Sequence, residues 1–373
     1  MTRTALVYDD FYLRHETGTH VETPKRLEVM VKKLKGAGLW GGEDTPVLKP
    51  ERADESVLMW SHSPELVDEI RETCRRAEES RSLLHLDADT VVSAASFESS
   101  LLAVGGCFVG IDAILEGEVD NGFAMVRPPG HHTNRGRARG FCLFNNVALA
   151  AEYLLRKKGL KRVAIVDVDC HHGNGTQDIF WENSEAGDVL FASTHQDGRT
   201  LYPGSGFVHE IGEGRGEGRV VNVPQPPTMS DASVKRVRDE VLAPILRDFR
   251  PQFLLCSIGF DALYSDPITN LAWTVQGYGE FVAALKGWAE ELCEGRLLLT
   301  LEGGYDLKNL ARASLNVVCG LTGRPFLEAD ARVQEDPRIK AYVAEQLLPK
   351  LKSTFSKYYP SLRDNEEADG HAV

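Results

Sequence analysis

The sequence lacks the cysteine spacing that disulfides or a cysteine-based zinc site would require. Its 373 residues include 7 cysteines, an odd number, and no two of them form a Cys-x-x-Cys pair. They are scattered over positions 74, 107, 142, 170, 256, 293 and 319. This scatter indicates reduced thiols rather than a disulfide framework or a structural zinc site.

An uninterrupted apolar stretch of about 20 residues, the length needed to cross a bilayer, is also missing. Hydrophobic residues make up 42% of the chain, an ordinary proportion for a globular protein. Near the N-terminus only Ala5-Leu6-Val7 precedes two acids, whereas a secretory signal has a longer apolar core and a cleavage site. We therefore expect no membrane partner and a cytoplasmic location, or a nuclear one in a eukaryote.

Positive charge is in the minority. The 42 Lys and Arg residues against 55 Asp and Glu residues give a formal net charge of -13. Binding to nucleic acid depends on basic residues that neutralise phosphates, so we expect no direct nucleic-acid partner. An acidic surface suits cationic substrates, although excess acid more often serves solubility alone. Composition leaves the oligomeric state open, a homo-oligomer included.

Short apolar runs bounded by turn residues alternate with amphipathic stretches. The runs are typical of buried strands and the stretches of helices. This alternation predicts an α/β fold with a mostly parallel sheet covered on both faces. We expect one domain over residues 1–325 and a C-terminal helical extension over 326–373, frayed from 363 onward. The predicted strands are 5–8, 123–126, 163–168, 189–192, 220–223, 253–258 and 297–301, and the predicted helices are 24–35, 97–115, 146–157, 232–249, 277–293, 307–321 and 339–358.

The richest motif is the run 163–168, which leads into Asp167, Asp169 and His171 at every second position. Alternation along a strand would place these side chains on one side. The run 253–258 is followed by Asp261 at the same end of the predicted sheet, where parallel sheets bind ligands. Asp169, His171 and Asp261 thus form a three-ligand set with a position left for water, the pattern of catalytic zinc sites. Taken alone, Asp169 and His171 could instead be a capping acid and a loop histidine.

Because two of the three expected ligands are carboxylates, ferrous iron is an alternative to zinc.

Adjacent histidines, His131 and His132, follow a further predicted strand after a stiff Pro-Pro-Gly turn. A histidine beside a metal-activated water can accept its proton and return it to a leaving amine, if a partner fixes the ring tautomer. Asp167 is the expected partner of His131. A solvated histidine pair is the alternative for this segment in isolation.

A fourth loop carries Gly303, Gly304 and Tyr305. The glycines let the backbone approach a ligand closely, and a tyrosine hydroxyl opposite the metal could bind the oxyanion formed when water attacks a carbonyl. The alternative is a tight turn with a packed tyrosine. Together the four loops predict a metal-dependent amide hydrolase.

Five ordered motifs make the chain resemble the histone deacetylase superfamily over residues 3–325. They are R-P-P-G-H-H, G-F-C-L-F-N-N, D-V-D-C-H-H-G-N-G-T, G-F-D and L-E-G-G-Y-D-L, and H-H-G-N-G with E-G-G-Y is closer to the class II and bacterial amidohydrolase branches. The resemblance implies a single-domain, arginase-like α/β fold with a mostly parallel eight-stranded sheet, and makes 1–325 the deacetylase catalytic domain. It also implies a zinc-dependent deacylase that acts on acyl-lysine in a protein or peptide, or on an acetylated polyamine.

The resemblance further assigns roles to residues at matching positions. Asp167 corresponds to the acid behind His131, whereas Asn174 replaces a second acid behind His132 and leaves the charge state of that histidine open. The other matches are Asp169, His171 and Asp261 as zinc ligands; His131 and His132 as the tandem histidines, with His132 the principal base; Tyr305 as the transition-state tyrosine; Gly140, Phe141 and Tyr202 in the acyl-lysine tunnel; Asp89 at its rim; Arg26 in an inner product-release cavity; and Asp167, Asp169, His171, Ser193 and Thr194 around an inner potassium ion.

The tunnel mouth decides between acyl-lysine and acetylpolyamine. Ile268 stands where some polyamine-specific relatives have a glutamate gate. This chain therefore lacks that gate, although other residues could still select polyamines. The loop 133–139 carries three arginines beside the predicted mouth, which could accept an acidic flank, although a solvated loop is the simpler explanation. We expect acyl-lysine as the substrate and keep acetylpolyamine as the alternative.

Two other classes of protein fit the sequence less well. A two-metal ureohydrolase needs further acids, and Gly173 and Leu263 stand where those acids would be. A non-catalytic acyl-lysine binding module would have no need of Tyr305 and both histidines. The sequence therefore predicts one catalytic divalent ion per chain.

Overall fold

The computed structural model describes residues 2–330 and 333–363, and within them the centre of the protein is an eight-stranded sheet beside a short two-stranded hairpin. Its strands are β1 (Thr4–Val7), β2 (Val47–Leu48), β3 (Leu84–His85), β4 (Val91–Val92), β5 (Asn121–Ala124), β6 (Arg162–Asp167), β7 (Asp188–Gln196), β8 (Val220–Gln225), β9 (Phe253–Ile258) and β10 (Leu297–Leu301). The sheet has the order β2-β1-β5-β10-β9-β6-β7-β8, with every neighbouring pair parallel. The antiparallel hairpin is β3-β4.

Helices cover this sheet on both faces. They are α1 (Lys25–Gly36), α2 (Pro64–Ser80), α3 (Ser96–Leu115), α4 (Asn146–Arg156), α5 (Asn174–Ile179), α6 (Asp231–Val237), α7 (Ala243–Phe249), α8 (Val275–Cys293), α9 (Leu307–Thr322), α10 (Pro337–Tyr342) and α11 (Leu348–Phe355). Helix α9 packs on α1 and α8, while α3 packs on α4 and α2, and both groups cover the central strands. The predicted parallel α/β architecture is confirmed.

The core lies between the sheet and these two layers. Strands β5, β9 and β10 are buried along their whole length, because helices exclude water from both of their faces. Their apolar residues therefore run continuously instead of alternating with polar ones. This explains why the sequence shows them as short, nearly unbroken apolar runs.

Helix α3 is the candidate membrane span among the described residues, although Glu98 and Asp112 interrupt its apolar sequence, so the expectation of no uninterrupted apolar stretch of that length stands. By length and composition alone it is long and apolar enough to cross a bilayer, but 67% of that window is buried inside the protein. The helix packs against β1, β5 and β10, as a core helix does.

The predicted strands are confirmed to within a few residues, and Phe253–Ile258 and Leu297–Leu301 match the predicted bounds. Strand β2 was missed because two residues give no periodic pattern. Helix α2 was also missed. It carries a start signal, since the Ser63 side chain accepts from the Leu66 backbone N–H and Pro64 occupies the first position, but its apolar stripe is narrow.

The stretch predicted as one helix over 232–249 contains a π turn at Arg238–Leu242, between α6 and α7. It precedes Pro244, which has no N–H for the regular helical bond. The wider turn accommodates this loss.

Beyond residue 325 the chain forms α10, a π turn at Val343–Leu347 and α11, which agrees with the helix predicted from 339. Val343, Leu347, Leu351 and Phe355 belong to the same hydrophobic core as the sheet. The domain division at 325 stays a prediction. Of the predicted frayed tail, residues 364–373 lie outside the described part of the chain.

Candidate metal centre and active site

The chemically rich loops all follow the carboxyl ends of neighbouring strands. The order β5-β10-β9-β6-β7 places the loop with His131 and His132 beside the loop with Tyr305. Next to these come the loop with Asp261 and the loop with Asp169 and His171. Strands that are far apart in the sequence therefore deliver their loops to one edge of the sheet, where ligands of parallel sheets bind.

Asp169, His171 and Asp261 form a buried group. Their candidate ligand atoms all lie within 4.8 Å of one another. The His171 Nδ1 atom is 3.0 Å from Asp261 Oδ2 and 3.2 Å from Asp169 Oδ1. Two carboxylates and one imidazole converging in this way fit the donor set of a divalent zinc or ferrous ion.

The loop backbone aims these carboxylates. Asp169 Oδ2 accepts from the Gly303 N–H at 2.8 Å, and Asp261 Oδ1 accepts from the Cys170 N–H at 2.8 Å. A side chain at Gly303 would collide with both carboxylates, and one at Gly259 would collide with Asp169. The glycines of G-F-D and E-G-G-Y are thus required because neighbouring loops pack directly against the ligand oxygens.

The pKa values of this group show that it binds a proton when no ion is present. Burial lowers the pKa of His171, but hydrogen bonds to Asp169 and Asp261 outweigh it and raise the pKa to about 10. Burial and the charge of Asp169 raise the pKa of Asp261 to about 6. At neutral pH the metal-free group therefore holds a proton on His171 between two carboxylates.

This proton makes metal affinity depend on pH. An ion bound by this group would have to displace it, so its affinity is expected to rise with pH up to the His171 pKa of about 10 and to fall as pH decreases. For one released proton, zinc should bind about a hundredfold more weakly at about pH 6 than at about pH 8. Competition titration with a chelator of known affinity measures this, and pH-independent affinity over that range would contradict the assignment of His171 as a ligand.

The two tandem histidines have different partners. His131 Nδ1 is 3.0 Å from Asp167 Oδ2, as predicted, and His132 Nδ1 is 2.8 Å from the Asn174 side-chain amide. Burial lowers the pKa of His131, but the carboxylates of Asp167 and Asp169 raise it to about 10. Burial, reinforced by the positive charges of His131 and His171, lowers the pKa of His132 well below its ordinary value. The pair is therefore one basic and one neutral imidazole.

Tyr305 is held from several sides. Its backbone N–H donates to Asp266 Oδ2 at 2.9 Å, and its ring lies edge-on to Phe141 with centroids 5.8 Å apart. The Arg26 guanidinium lies 5.2 Å from the ring centroid. Burial and the Asp261 charge raise the pKa of the Tyr305 hydroxyl well above its ordinary value, so the hydroxyl stays protonated and can donate.

These groups meet at a cavity of about 250 Å³. Phe141 and Tyr202 contribute its aromatic walls, and Tyr202 lies edge-on to His132 with centroids 5.1 Å apart. Asp89 lies at the exposed rim, in the turn of the hairpin β3-β4. The predicted residues that line the cavity are Asp89, His131, His132, Gly140, Phe141, Asp169, His171, Tyr202, Ile268, Gly303 and Tyr305.

Other predicted residues lie behind the cavity wall. Asp167 and Asn174 contact the histidines, and Asp261 contacts His171. Arg26 is buried, donates through Nε to the Gly304 carbonyl at 2.7 Å and also contacts the Glu302 carbonyl. It thereby holds the backbone of the Tyr305 loop from behind.

Some of the predicted potassium ligands lie on neighbouring strands. Asp167 on β6 pairs with Ser193 on β7, and Ser193 Oγ lies 2.8 Å from His195 Nδ1. The buried Thr194 Oγ1 has no hydrogen-bond partner among the described residues. The potassium site stays a prediction.

Comparison with known proteins now decides the family. The Histone deacetylase domain profile matches residues 20–321. The chain belongs to the histone deacetylase family.

Relatives of this family member occur in Archaeoglobus fulgidus and Arabidopsis thaliana. The chain is 39% identical to a Probable deacetylase of Archaeoglobus fulgidus, over 86% of each chain. It is 34% identical to Histone deacetylase 5 of Arabidopsis thaliana, over 97% of this chain but 54% of that protein, so it spans about half of that relative. The crystal structure of the HDA15 HD domain is similar with a TM-score of 0.85 and 32% identity, over 97% of this chain and 98% of that one. This likeness confirms the predicted histone deacetylase fold, and at the family level the chain is an amide-hydrolysing deacetylase.

Several residues that shape this deacetylase site were missed from the sequence. Glu302 accepts from the Gly130 and His131 N–H groups at 2.8 and 3.2 Å and from Ser257 Oγ at 2.9 Å, so it fixes the tandem-histidine loop. Asp266 accepts from the N–H groups of Tyr305 and Ile268. Glu302 follows a predicted strand and belongs to the L-E-G-G-Y-D-L motif, but neither signal gave it a role, and none existed for Asp266. The remaining cavity-lining residues that were missed are Asp87, Pro129, Cys142 and Leu201.

Proposed function

We propose that this chain is a zinc-dependent deacylase that hydrolyses the amide of Nε-acetyl-lysine, or a related acyl-lysine, in proteins or peptides. The observation that supports this most is the position of the Asp169, His171 and Asp261 group beside a histidine pair and a protonated tyrosine, in one narrow aromatic-walled cavity. Ferrous iron is the alternative ion, since the donor set is rich in oxygen.

The cavity suits an acyl-lysine side chain. Phe141 and Tyr202 offer aromatic surface to the four-carbon stem, which loses contact with water on entry. Asp87 and Asp89 at the rim can accept hydrogen bonds from backbone N–H groups of a peptide. The acyl group is then directed toward the base of the cavity.

Asp169, His171 and Asp261 would hold the ion, and when bound it would act as a Lewis acid on the scissile carbonyl and on a water molecule.

The residues around the ion supply the proton transfers. The water oxygen forms a bond to the carbonyl carbon while a water proton passes to the histidine pair. The Tyr305 hydroxyl donates to the carbonyl oxygen as negative charge builds there. The carbon–nitrogen bond then breaks, the nitrogen takes a proton, and the products are a free lysine amine and a carboxylate.

Acetylpolyamine hydrolysis is the second candidate because the rim carries two carboxylates, Asp87 and Asp89, which would attract a cationic chain. The deciding experiment measures amine release from acyl-lysine peptides of several acyl lengths and from acetylpolyamines. We expect hydrolysis of the peptides, with the acetyl group accepted. Activity on polyamines alone would overturn the proposed substrate.

The rim allows a sharper test. Asp89→Asn is expected to raise KM for acetyl-lysine peptides several-fold, about 1 kcal/mol for a charge-assisted hydrogen bond, with kcat nearly unchanged. N-pentylacetamide, an uncharged mimic of the acetyl-lysine side chain, lacks the backbone and should be hydrolysed equally by both proteins. Equal KM changes for the peptide and this mimic would show that Asp89 does not bind substrate backbone.

A further inference from the structure

Arg139 reaches back over the start of α5, where Asn174 stands. Its backbone carbonyl accepts from the Cys142 N–H at 3.1 Å, and its guanidinium lies 3.8 Å from Asp178 on the same helix. The side chain is 25% exposed. These contacts hold the guanidinium against the Asn174 amide.

The guanidinium determines which way that amide faces. With the Asn174 oxygen on the Arg139 side, it accepts from Arg139 Nε at 3.1 Å, from the Gly175 N–H at 3.1 Å and from a terminal guanidinium nitrogen. Rotating the amide by 180° would place its NH2 group against these same donors. Arginine offers donors and no acceptor, so the oxygen faces Arg139 and the NH2 group faces His132.

This orientation has a direct consequence for His132. The Asn174 NH2 group then donates to His132 Nδ1 at 2.8 Å, which requires a lone pair on Nδ1. A neutral imidazole carries its proton on one nitrogen only, so the proton of His132 is on Nε2. We propose that Arg139, acting through Asn174, is a positioning residue that fixes His132 as the Nε2–H tautomer, so that His132 donates a hydrogen bond into the cavity instead of accepting a proton.

His131 is fixed in the opposite way. Its Nδ1 lies 3.0 Å from the Asp167 carboxylate, which only accepts, so Nδ1–H donates and Nε2, 3.8 Å from Asp169 Oδ1, is the nitrogen that gains or loses a proton. In its neutral form His131 thus has its lone pair on Nε2 and is the opposite tautomer to His132, so the base of the reaction is His131 rather than His132. This division of roles rests on the proposed deacylase function, whereas the tautomers themselves do not.

The tautomer can be observed without any assay of activity. In the full chain loaded with zinc and labelled with ¹⁵N-histidine, long-range ¹H–¹⁵N spectra distinguish protonated from unprotonated ring nitrogens, and His132→Gln identifies the His132 signals. We expect an unprotonated Nδ1 and a protonated Nε2. Asn174→Asp should reverse this pattern, because a carboxylate can only accept from Nδ1–H. A wild-type His132 with its proton on Nδ1 would overturn the proposal.

Variants in the loop 133–139 distinguish the positioning role of Arg139 from an effect of losing any positive charge in that loop. Arg139→Met should give a mixture of the two tautomers, since it removes the donors that orient Asn174. Arg137→Met removes an exposed arginine of the same loop and should leave the wild-type pattern. If Arg139→Met kept the pure Nε2–H form, Arg139 would not be the positioning residue, and if Arg139→Met fails to fold, Asn174→Asp still decides the tautomer.

Parallel assays of acetyl-lysine peptide hydrolysis keep the two proposals distinct. Hydrolysis combined with an Nδ1–H tautomer would overturn the role of Arg139 and leave the deacylase function standing. The Nε2–H tautomer in a protein that hydrolyses neither acyl-lysine nor acetylpolyamine would support Arg139 as the positioning residue and overturn the deacylase function.

Discussion

Asp261→Asn is expected to abolish tight binding of the catalytic ion and to lower deacylation by about 10³-fold or more, because activation of water at neutral pH depends on the ion. The wild-type protein should contain about one divalent ion per chain, and the variant close to none. Elemental analysis of the purified proteins and hydrolysis of an acetyl-lysine peptide measure both effects.

The same variant should fold normally. Asp261 and Asp169 are buried carboxylates around one His171 ring nitrogen, and burial together with Asp169 already raises the pKa of Asp261 to about 6. Removing the Asp261 charge relieves its burial cost and its repulsion from Asp169 in the metal-free protein, and the raised pKa of Asp261 shows that these outweigh its attraction to the protonated His171. We therefore expect the metal-free variant to unfold at a temperature no lower than metal-free wild type. Zinc should raise Tm of the wild type only, since a ligand stabilises the state that binds it.

Asp68→Asn is a suitable control because Asp68 is a carboxylate on α2 with a side chain that is 72% exposed. It should keep metal content and activity. A fully active Asp261→Asn protein with one ion per chain would remove Asp261 from the ligand set. Two equimolar ions in the wild type would instead revive the ureohydrolase alternative.

Tyr305→Phe is expected to lower kcat by about 10²-fold or more while zinc content stays the same. Phenylalanine keeps the ring between Phe141 and Arg26, and it removes only the hydroxyl. Because burial raises the pKa of this hydroxyl well above its ordinary value, it is a donor throughout the neutral range. The donation strengthens as charge develops on the carbonyl oxygen, so kcat should fall more than KM rises.

Tyr264→Phe removes a hydroxyl from a tyrosine that is 46% exposed and makes the matched control. Its kinetics with an acetyl-lysine peptide should equal those of the wild type. Equal kcat values for Tyr305→Phe and wild type would exclude Tyr305 as the oxyanion donor. Loss of zinc from Tyr305→Phe would mean that the residue supports the metal group instead.

The metal-binding group, the histidine pair and the tyrosine could be predicted from the sequence, because the pattern of apolar runs and one general rule about parallel sheets located them. Apolar runs marked the strands, and the rule that parallel sheets bind ligands at their carboxyl ends directed attention to the residues after them. The argument from alternation was incomplete, since β6 ends at Asp167 and both Asp169 and His171 lie in the following loop. The hydrogen bond from the Gly303 N–H to the Asp169 carboxylate joins two of these loops. No pattern of apolar residues within a strand could have predicted this contact.

The sequence by itself determined the chemistry: the carboxylates, imidazoles and tyrosine, their positions after apolar runs, and the glycines that let the loops approach one another. Only the tertiary structure decided the strand order β5-β10-β9-β6-β7, which makes neighbours of loops more than a hundred residues apart. It also decided the contacts behind the site, from Glu302 and Asp266 to the guanidinium of Arg139 on Asn174. The physical reason is that side-chain type and periodicity are local properties, whereas the partner that orients an amide or an imidazole comes from another part of the chain.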